Sequence, residues 1–150
     1  MKFKYSLEKV LKHREILESV AQREFQEMMG ELVQAQNTLD GLFHQEKKAR
    51  ESLLVFQENS VVELPQHGTQ LDHFLKLQAL RIETQKTKVE AAQKRVEEKR
   101  EILRAKAIDR KILVKHKEQK HELFTAEVNR KEQLEMDELS VLRHGVRKNK

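Results

Sequence analysis

The chain has 150 residues and a formal net charge of +5, and 37% of its residues are charged against only 5% aromatic residues. It contains one Pro, four Gly, no Trp and no Cys, a composition that excludes disulfides, zinc–thiolate sites and thiol catalysis and is typical of long helices. There is no run of about 18 apolar residues and no apolar core of a signal peptide, so we expect a cytoplasmic protein.

The first predicted element is a long helix over residues 6–58, with Ser6 as its N-cap. A seam of fifteen positions, spaced by three and four residues, runs along this helix, and thirteen of the positions are apolar. Low hydrophobicity with many charges also suits a disordered chain, but disorder has no reason to hold a helical period over such a length. The seam positions are Leu7, Val10, Arg14, Leu17, Ala21, Phe25, Met28, Leu32, Ala35, Leu39, Leu42, Glu46, Ala49, Leu53 and Phe56.

The predicted turn covers residues 59–69, where Asn59, Ser60, Pro65 and Gly68 lie close together. Because Pro65 disfavours a helical conformation in the residue before it, a single unbroken helix through this stretch is not expected. The chain should therefore reverse direction here.

The second predicted helix covers residues 70–143 and is followed by a basic tail over residues 144–150. Its stripe is weaker than the first seam but keeps the same period, with polar residues at Gln78, Gln85 and Lys99. The apolar members are Leu71, Leu75, Ile82, Val89, Ala92, Val96 and Leu103.

Together these elements predict an all-α fold, a long antiparallel two-helix coiled-coil hairpin that forms a single domain. Residues whose numbers add up to about 129 would face each other, so about the last twenty residues would overhang the end of the first helix. An overhanging helix with uncovered apolar residues should bind a partner, although a frayed end that merely tolerates them is the alternative. These residues are Phe124, Val128, Leu134, Leu139 and Leu142.

Charge is distributed in bands along the second helix. Residues 86–120 hold thirteen Lys or Arg against six acids, whereas residues 122–141 hold six acids against two basic residues. A basic band attracts nucleic acid by Coulomb forces alone, so a nucleic-acid-binding coiled coil is one functional hypothesis. The band has no aromatic residues on which bases could stack, which favours acidic patches on a protein partner instead.

The sequence carries no signature of catalysis. It has no glycine-rich phosphate-binding loop, and paired carboxylates such as Glu97 and Glu98 are predicted to lie on a polar helix surface where nothing excludes water. The histidines never occur at the i, i+4 spacing of a helical metal site, so we predict solvated surface histidines, no metal, no cofactor and no enzymatic activity. The histidines are His13, His44, His67, His73, His116, His121 and His144.

Both ends of the chain resemble those of a known family. The opening Phe-Lys-Tyr-Ser-Leu-Glu-Lys-Val-Leu-Lys-His-Arg-Glu of residues 3–15 and the close Arg-Lys-Glu-Gln-Leu-Glu-Met-Asp-Glu-Leu of residues 130–139 resemble the two ends of the FliJ family of flagellar export proteins. The Phe-x-Tyr-x-Leu start and the Glu-Gln-x-x-x-Asp-Glu-Leu end are the more discriminating parts. The likeness covers essentially the whole chain, including the short turn near its middle.

The resemblance implies an antiparallel two-helix coiled coil, similar in shape to the central stalk of rotary ATPases. In this family the paired termini sit in the pore of the hexameric export ATPase and promote ring assembly, while the hairpin body links the ring to a membrane export gate. The family is also implicated in handling free export chaperones. The expected location is therefore cytoplasmic and peripheral at the inner membrane, as part of the export apparatus.

The resemblance thus implies a non-enzymatic stalk and adaptor of the flagellar type III export apparatus. The sequence separates this function poorly from the equivalent stalk of a virulence type III secretion system. The residues that the resemblance assigns to ATPase binding are Phe3, Tyr5, Leu7, Arg130, Gln133, Leu134, Asp137, Glu138 and Leu139, and those that it assigns to export-gate binding are Leu42 and Phe74.

Overall fold

The structure, a computed structural model, describes residues 2–58 and 65–148. Two helices account for nearly all of these residues: α1 spans Glu8–Glu58 and α2 spans Pro65–Lys148. No strand occurs within the described ranges. The prediction of an all-α fold made of two long helices is confirmed.

The start of α1 lies two residues later than predicted, because the chain makes a turn before entering the helix. The Glu8 amide donates to the Tyr5 carbonyl at 3.2 Å, and the Leu11 amide donates to the Leu7 carbonyl at 2.9 Å. Leu7 therefore holds the N-cap position, and the prediction of Ser6 there is wrong. Glu8 lies in the first turn, where its negative charge is favourable beside the positive end of the helix dipole.

The second helix starts earlier and ends later than predicted. It begins at Pro65 instead of residue 70, and the other part of the predicted turn, residues 59–64, lies outside the described residues. A proline has a fixed φ and no N–H, which suits the first turn of a helix, so Pro65 opens α2 instead of lying in the turn. The helix also continues to Lys148, past the predicted end at residue 143.

The chain divides into two compact units, and each contains an antiparallel pair of segments from α1 and α2. The central unit comprises Val20–Arg104. The terminal unit comprises Met1–Ser19 together with Ala105–Lys150.

The core of the central unit follows the predicted seam. Small Ala side chains allow the two helices to approach closely, while Ile and Val side chains fill the spaces between them. The buried apolar residues of this unit are Ala21, Ala49, Ile82, Val89, Ala92 and Val96.

Two of the predicted polar seam positions form buried polar layers in the central unit. Gln78 Nε2 donates to the Leu42 carbonyl and to Gln45 Oε1, both at 3.0 Å. Gln85 Nε2 donates to the Ala35 carbonyl at 2.9 Å. The Gln78 Oε1 atom is buried without a hydrogen-bond partner. Polar layers of this kind lower the stability of a coiled coil but fix the register of its helices.

The register of the two helices differs from the predicted one. Gln45 faces Gln78, a pair whose residue numbers add up to 123. The helix ends that flank the turn, Glu58 and Pro65, add up to the same value. The predicted value of about 129 is therefore wrong, because α2 begins earlier than its apolar pattern indicates.

The terminal unit has a smaller core, in which Tyr5, Leu11 and Leu113 are buried. The prediction that Leu7 and Val10 begin the seam is wrong, since they are 38% and 41% exposed. Leu11 takes the interior position in their place, and Tyr5 covers the same end of the helix pair.

The last part of α2 has no α1 segment against it. Every residue from 129 to 147 is exposed, and we call this stretch the overhang. An overhang of about this length was predicted from the wrong register, and the observed one begins here because the N-terminal segment before α1 covers α2 as far as Phe124. Neither described helix contains a stretch that is both long enough and apolar enough to cross a membrane.

Candidate functional site

The first residues of the chain fold against α2 within the terminal unit. The ring of Phe3 meets the ring of His121 edge-on, with centroids 5.0 Å apart and planes at 88°. The same Phe3 ring packs against Phe124 with centroids 5.5 Å apart. Ring contacts of this geometry stabilise more than their buried area alone provides. They fasten the N-terminus to α2 shortly before the overhang begins.

A hydrogen bond joins the N-terminal segment to α2 at a second point. Tyr5 Oη lies 2.6 Å from His116 Nδ1, and the two ring centroids are 5.5 Å apart. Tyr5 is only 9% exposed, so its hydroxyl needs this partner in place of water. The prediction of a solvated surface histidine is wrong for His116, which is half-buried and bonded.

Charged contacts add to these ring contacts along the terminal unit. Each joins a side chain of one helix to the other helix, and each involves a charged group at the edge of the small core. They are the Lys117–Glu8 pair at 2.8 Å, the Arg110–Glu18 pair, and the Arg14 guanidinium donating to the Asp109 carbonyl at 2.8 Å.

The overhang exposes several large apolar side chains to solvent. Six of them are at least half exposed. Exposed apolar residues on a helix that is rimmed by charges mark a surface for binding another protein. The six residues are Leu134, Met136, Leu139, Val141, Leu142 and Val146.

Arg130, just inside the overhang, forms an ion pair with the preceding turn. Its guanidinium donates to Glu127 Oε1 at 2.9 Å. This hydrogen bond, followed by the positive charge of Arg130, lowers the pKa of Glu127 below its ordinary value of 4.5. Both side chains remain exposed to solvent, so Arg130 is still accessible to a partner.

No acidic side chain is buried within the described residues. Within residues 2–58 and 65–148, no group of three or more His, Asp or Glu is placed to hold a metal ion. Glu97 and Glu98 are exposed, and Glu97 forms an ion pair with Arg100 at 2.7 Å.

Comparison with protein families decides what kind of protein carries this surface. A family model described as the flagellar FliJ protein matches residues 3–149. The chain belongs to the FliJ family.

A solved structure with a similar fold comes from Chlamydia trachomatis, the YscO homologue CT670. The match has a TM-score of 0.61 and 21% sequence identity, and it covers 99% of each chain. At this identity the likeness concerns the fold alone, and it supports the helical hairpin described above. The comparison with curated proteins gives no match.

The residues that the FliJ resemblance assigns to ATPase binding fall into two groups. Phe3 and Tyr5 pack against α2 and hold the N-terminal segment in place, whereas Leu7 is partly exposed beside them. The other six are all exposed on the overhang. They are Arg130, Gln133, Leu134, Asp137, Glu138 and Leu139.

The two residues that the resemblance assigns to the export gate lie in the central unit. Leu42 and Phe74 are both half-buried, so part of each side chain faces solvent. Gln78, one turn after Phe74 on α2, donates to the Leu42 carbonyl at 3.0 Å. The buried polar layer therefore lies next to both predicted residues and fixes their positions along the helices.

About half of the basic residues in the basic band of α2 are paired with acids of the chain itself. Seven of its thirteen basic residues form ion pairs, some with α1 and some with the neighbouring turn of α2. This pairing lowers the positive potential that nucleic acid would require. The seven are Lys86, Arg95, Lys99, Arg100, Arg104, Arg110 and Lys117.

Sequence reasoning missed the roles of His116, His121 and Leu113 in the terminal unit. Tyr5 and His116 are 111 residues apart in the chain, so no local pattern connects them. The alternation of aromatic rings at the N-terminus was the available signal. The residues of α2 that these rings contact can be identified only when the register of the two helices is known.

Proposed function

We propose that this FliJ-family chain is a non-enzymatic stalk and adaptor of the flagellar type III export apparatus, and that its terminal unit binds the pore of the hexameric export ATPase. The observation that carries the proposal is the overhang, a helix that leaves six large apolar side chains at least half exposed. Membership of the FliJ family supplies the export apparatus as the setting.

The physical basis for ATPase binding is the uncovered apolar surface of the overhang. Burying a large apolar side chain such as Leu134 or Leu139 contributes roughly 1.5–3 kcal/mol, so a few such anchors suffice for a specific contact. The exposed Arg130 and Asp137 add charged groups that can fix orientation within a ring.

Paired termini are a further requirement for inserting one end of a hairpin into a pore. The Tyr5–His116 hydrogen bond and the contact of Phe3 with Phe124 keep the N-terminal segment on α2. In this proposal Phe3 and Tyr5 act by holding the two termini together, while residues of the overhang make the contacts with the ring.

The central unit is proposed to contact the export gate through Leu42 and Phe74, placing the protein peripherally at the inner membrane on its cytoplasmic side. Each has an accessible part, and the Gln78 hydrogen bonds fix the helix register there. Handling of free export chaperones is proposed for the same adaptor. A virulence secretion system is the alternative setting, and the genes that neighbour this one would distinguish the two.

The test combines the purified chain with the cognate export ATPase and measures hexamer formation and ATP hydrolysis. We expect the chain to promote both, and we expect the variant Leu134→Asp with Leu139→Asp to promote neither while keeping its helicity by circular dichroism. Val33→Asp is the matched control, because it also places a carboxylate at an exposed apolar position of the chain. Failure of the unmodified chain to bind or stimulate the ATPase would refute the proposal.

A further inference from the structure

A second apolar stripe runs along α2 in the terminal unit, on a face that α1 does not cover. At roughly 100° per residue, its members lie within about 40° of one another around the helix, and roughly 100° from Leu113 and Phe124, which face α1 and the N-terminal segment. The four large members are each at least half exposed, and Ala105 is exposed as well. The stripe consists of Ala105, Ile112, Leu123, Leu134 and Val141.

The spacing of this stripe is symmetric about its central residue. Successive members are separated by 7, 11, 11 and 7 residues. Two copies of α2 laid antiparallel therefore place Leu123 against Leu123 of the second copy and Ile112 against Leu134 of the second copy. A surface that is complementary to itself in this way is the requirement for a twofold-symmetric interface.

The charges on the two sides of Leu123 are also complementary between two antiparallel copies of α2. The half before Leu123, residues 105–122, has six basic and three acidic residues, a net of +3. The half after it, residues 124–141, has two basic and five acidic residues, a net of −3. An antiparallel arrangement sets the basic half of each copy against the acidic half of the other, whereas a parallel arrangement would set like charges together.

Unpaired charges flank the stripe on both sides of Leu123. At roughly 100° per residue, two lysines of the basic half and two acids of the acidic half lie within about 80° of the stripe and form no ion pair within the described residues. They are Lys115 and Lys120 in the basic half and Asp137 and Glu138 in the acidic half.

We propose that the second stripe joins two copies of this chain into an antiparallel, twofold-symmetric dimer with Leu123 on the axis. The apolar spacing is compatible with this arrangement, and the charge bands favour it over a parallel pair. The interface covers Leu134 and runs beside Arg130 and Asp137. On the proposed function, which assigns these residues to the ATPase, the dimer and the ATPase complex exclude each other, so dimerisation would keep the unengaged stalk away from other apolar surfaces.

Disulfide trapping tests the arrangement directly, because the chain contains no cysteine of its own. Residues on or across the axis would bring Cα atoms to within about 6 Å, close enough for a disulfide. We expect Leu123→Cys, treated with an oxidant such as copper phenanthroline, to form covalent dimers at least about tenfold faster than Ile16→Cys. Ile16 is the matched control because it is an exposed apolar residue on α1, 61% exposed.

The direction of pairing is tested by mixing two single variants. Ala105→Cys and Val141→Cys should each stay uncrosslinked alone and form a mixed disulfide when combined. Rapid crosslinking of Ala105→Cys with itself would indicate a parallel pair and overturn the proposal. Crosslinking of Leu123→Cys no faster than that of Ile16→Cys would overturn it as well.

The unmodified chain provides a measurement without crosslinking. Analytical ultracentrifugation should show a concentration-dependent dimer, and Leu123→Lys should raise its dissociation constant at least about tenfold, whereas Ile16→Lys should not. Circular dichroism would verify that both variants keep their helices. A chain that remains monomeric throughout would refute the dimer, yet it would leave the proposed function intact, since no ATPase is present.

Discussion

The central unit and the terminal unit are built from the same two helices but bury them in different ways. In the central unit a regular seam closes over residues such as Ile82 and Val96, which are 4% and 2% exposed. In the terminal unit a small core around Leu11 and Leu113 is supplemented by ring contacts, hydrogen bonds such as that of Tyr5 with His116, and ion pairs, and the overhang is exposed. Regular packing gives a stiff scaffold in one unit, whereas irregular packing leaves binding surface accessible in the other.

The largest effect on stability should come from truncating the core of the central unit. Ile82→Ala should lower the free energy of unfolding by about 2–5 kcal/mol, because it leaves a cavity between the helices. Urea denaturation followed by circular dichroism measures this. Ile16→Ala, at an exposed position, should change it by less than about 0.5 kcal/mol. Equal effects of the two variants would mean that the central seam is not the source of stability.

A smaller effect is expected from the hydrogen bond that joins Tyr5 to α2 in the terminal unit. Tyr5→Phe removes the bond to His116 but keeps the ring, so it should cost about 0.5–1.5 kcal/mol locally. Hydrogen exchange at the start of α1 should become faster, while exchange in the central unit should not change. Unchanged exchange at the Leu11 amide would show that the bond does not fasten this end.

The buried polar layer of the central unit should respond differently from its apolar core. Gln78→Leu removes an Oε1 atom that is buried without a partner, so the stability should be unchanged or higher, by up to about 1 kcal/mol. The variant should instead lose its unique helix register. Distances measured between spin labels on α1 and α2 should then show more than one alignment of the two helices. A large drop in the urea midpoint would contradict this expectation.

The smallest effect concerns pH and lies beside the overhang. The pKa of Glu127 is lowered by its hydrogen bond to Arg130, so the stabilisation from this pair is present above pH 4.5 and is lost as the pH falls through the pKa of the folded state. Arg130→Gln should raise the pKa of Glu127 towards its ordinary value. An NMR titration of the Glu127 carboxyl measures the shift, and identical titration curves would contradict it.

The sequence predicts the central unit well because its seam is a local property. Periodic apolar residues determine which face of each helix is buried, and even the polar members Gln78 and Gln85 were assigned to the seam correctly. The register was wrong, because it depends on where α2 begins. Pro65 can lie in a turn or open a helix, and the apolar pattern does not distinguish the two cases.

The terminal unit was predicted less completely, since its contacts join residues far apart in the chain. The overhang followed from the difference in helix lengths. The contacts of Phe3 and Tyr5 with α2 depend on the register and on a turn before α1, and neither leaves a periodic signal. The palindromic stripe about Leu123 is visible in the sequence only after the structure separates it from the face that α1 covers.

The contrast between the two units is tested most directly by ATPase stimulation with two variants of opposite kind. Leu134→Asp with Leu139→Asp alters the overhang, and Ile82→Ala weakens the central core. The rate of ATP hydrolysis by the export ATPase is measured against the concentration of each variant, at a temperature where circular dichroism shows both to be folded. We predict that the overhang variant keeps its stability and fails to stimulate, whereas Ile82→Ala is less stable and still stimulates. Full stimulation by the overhang variant would contradict the assignment of function to the terminal unit.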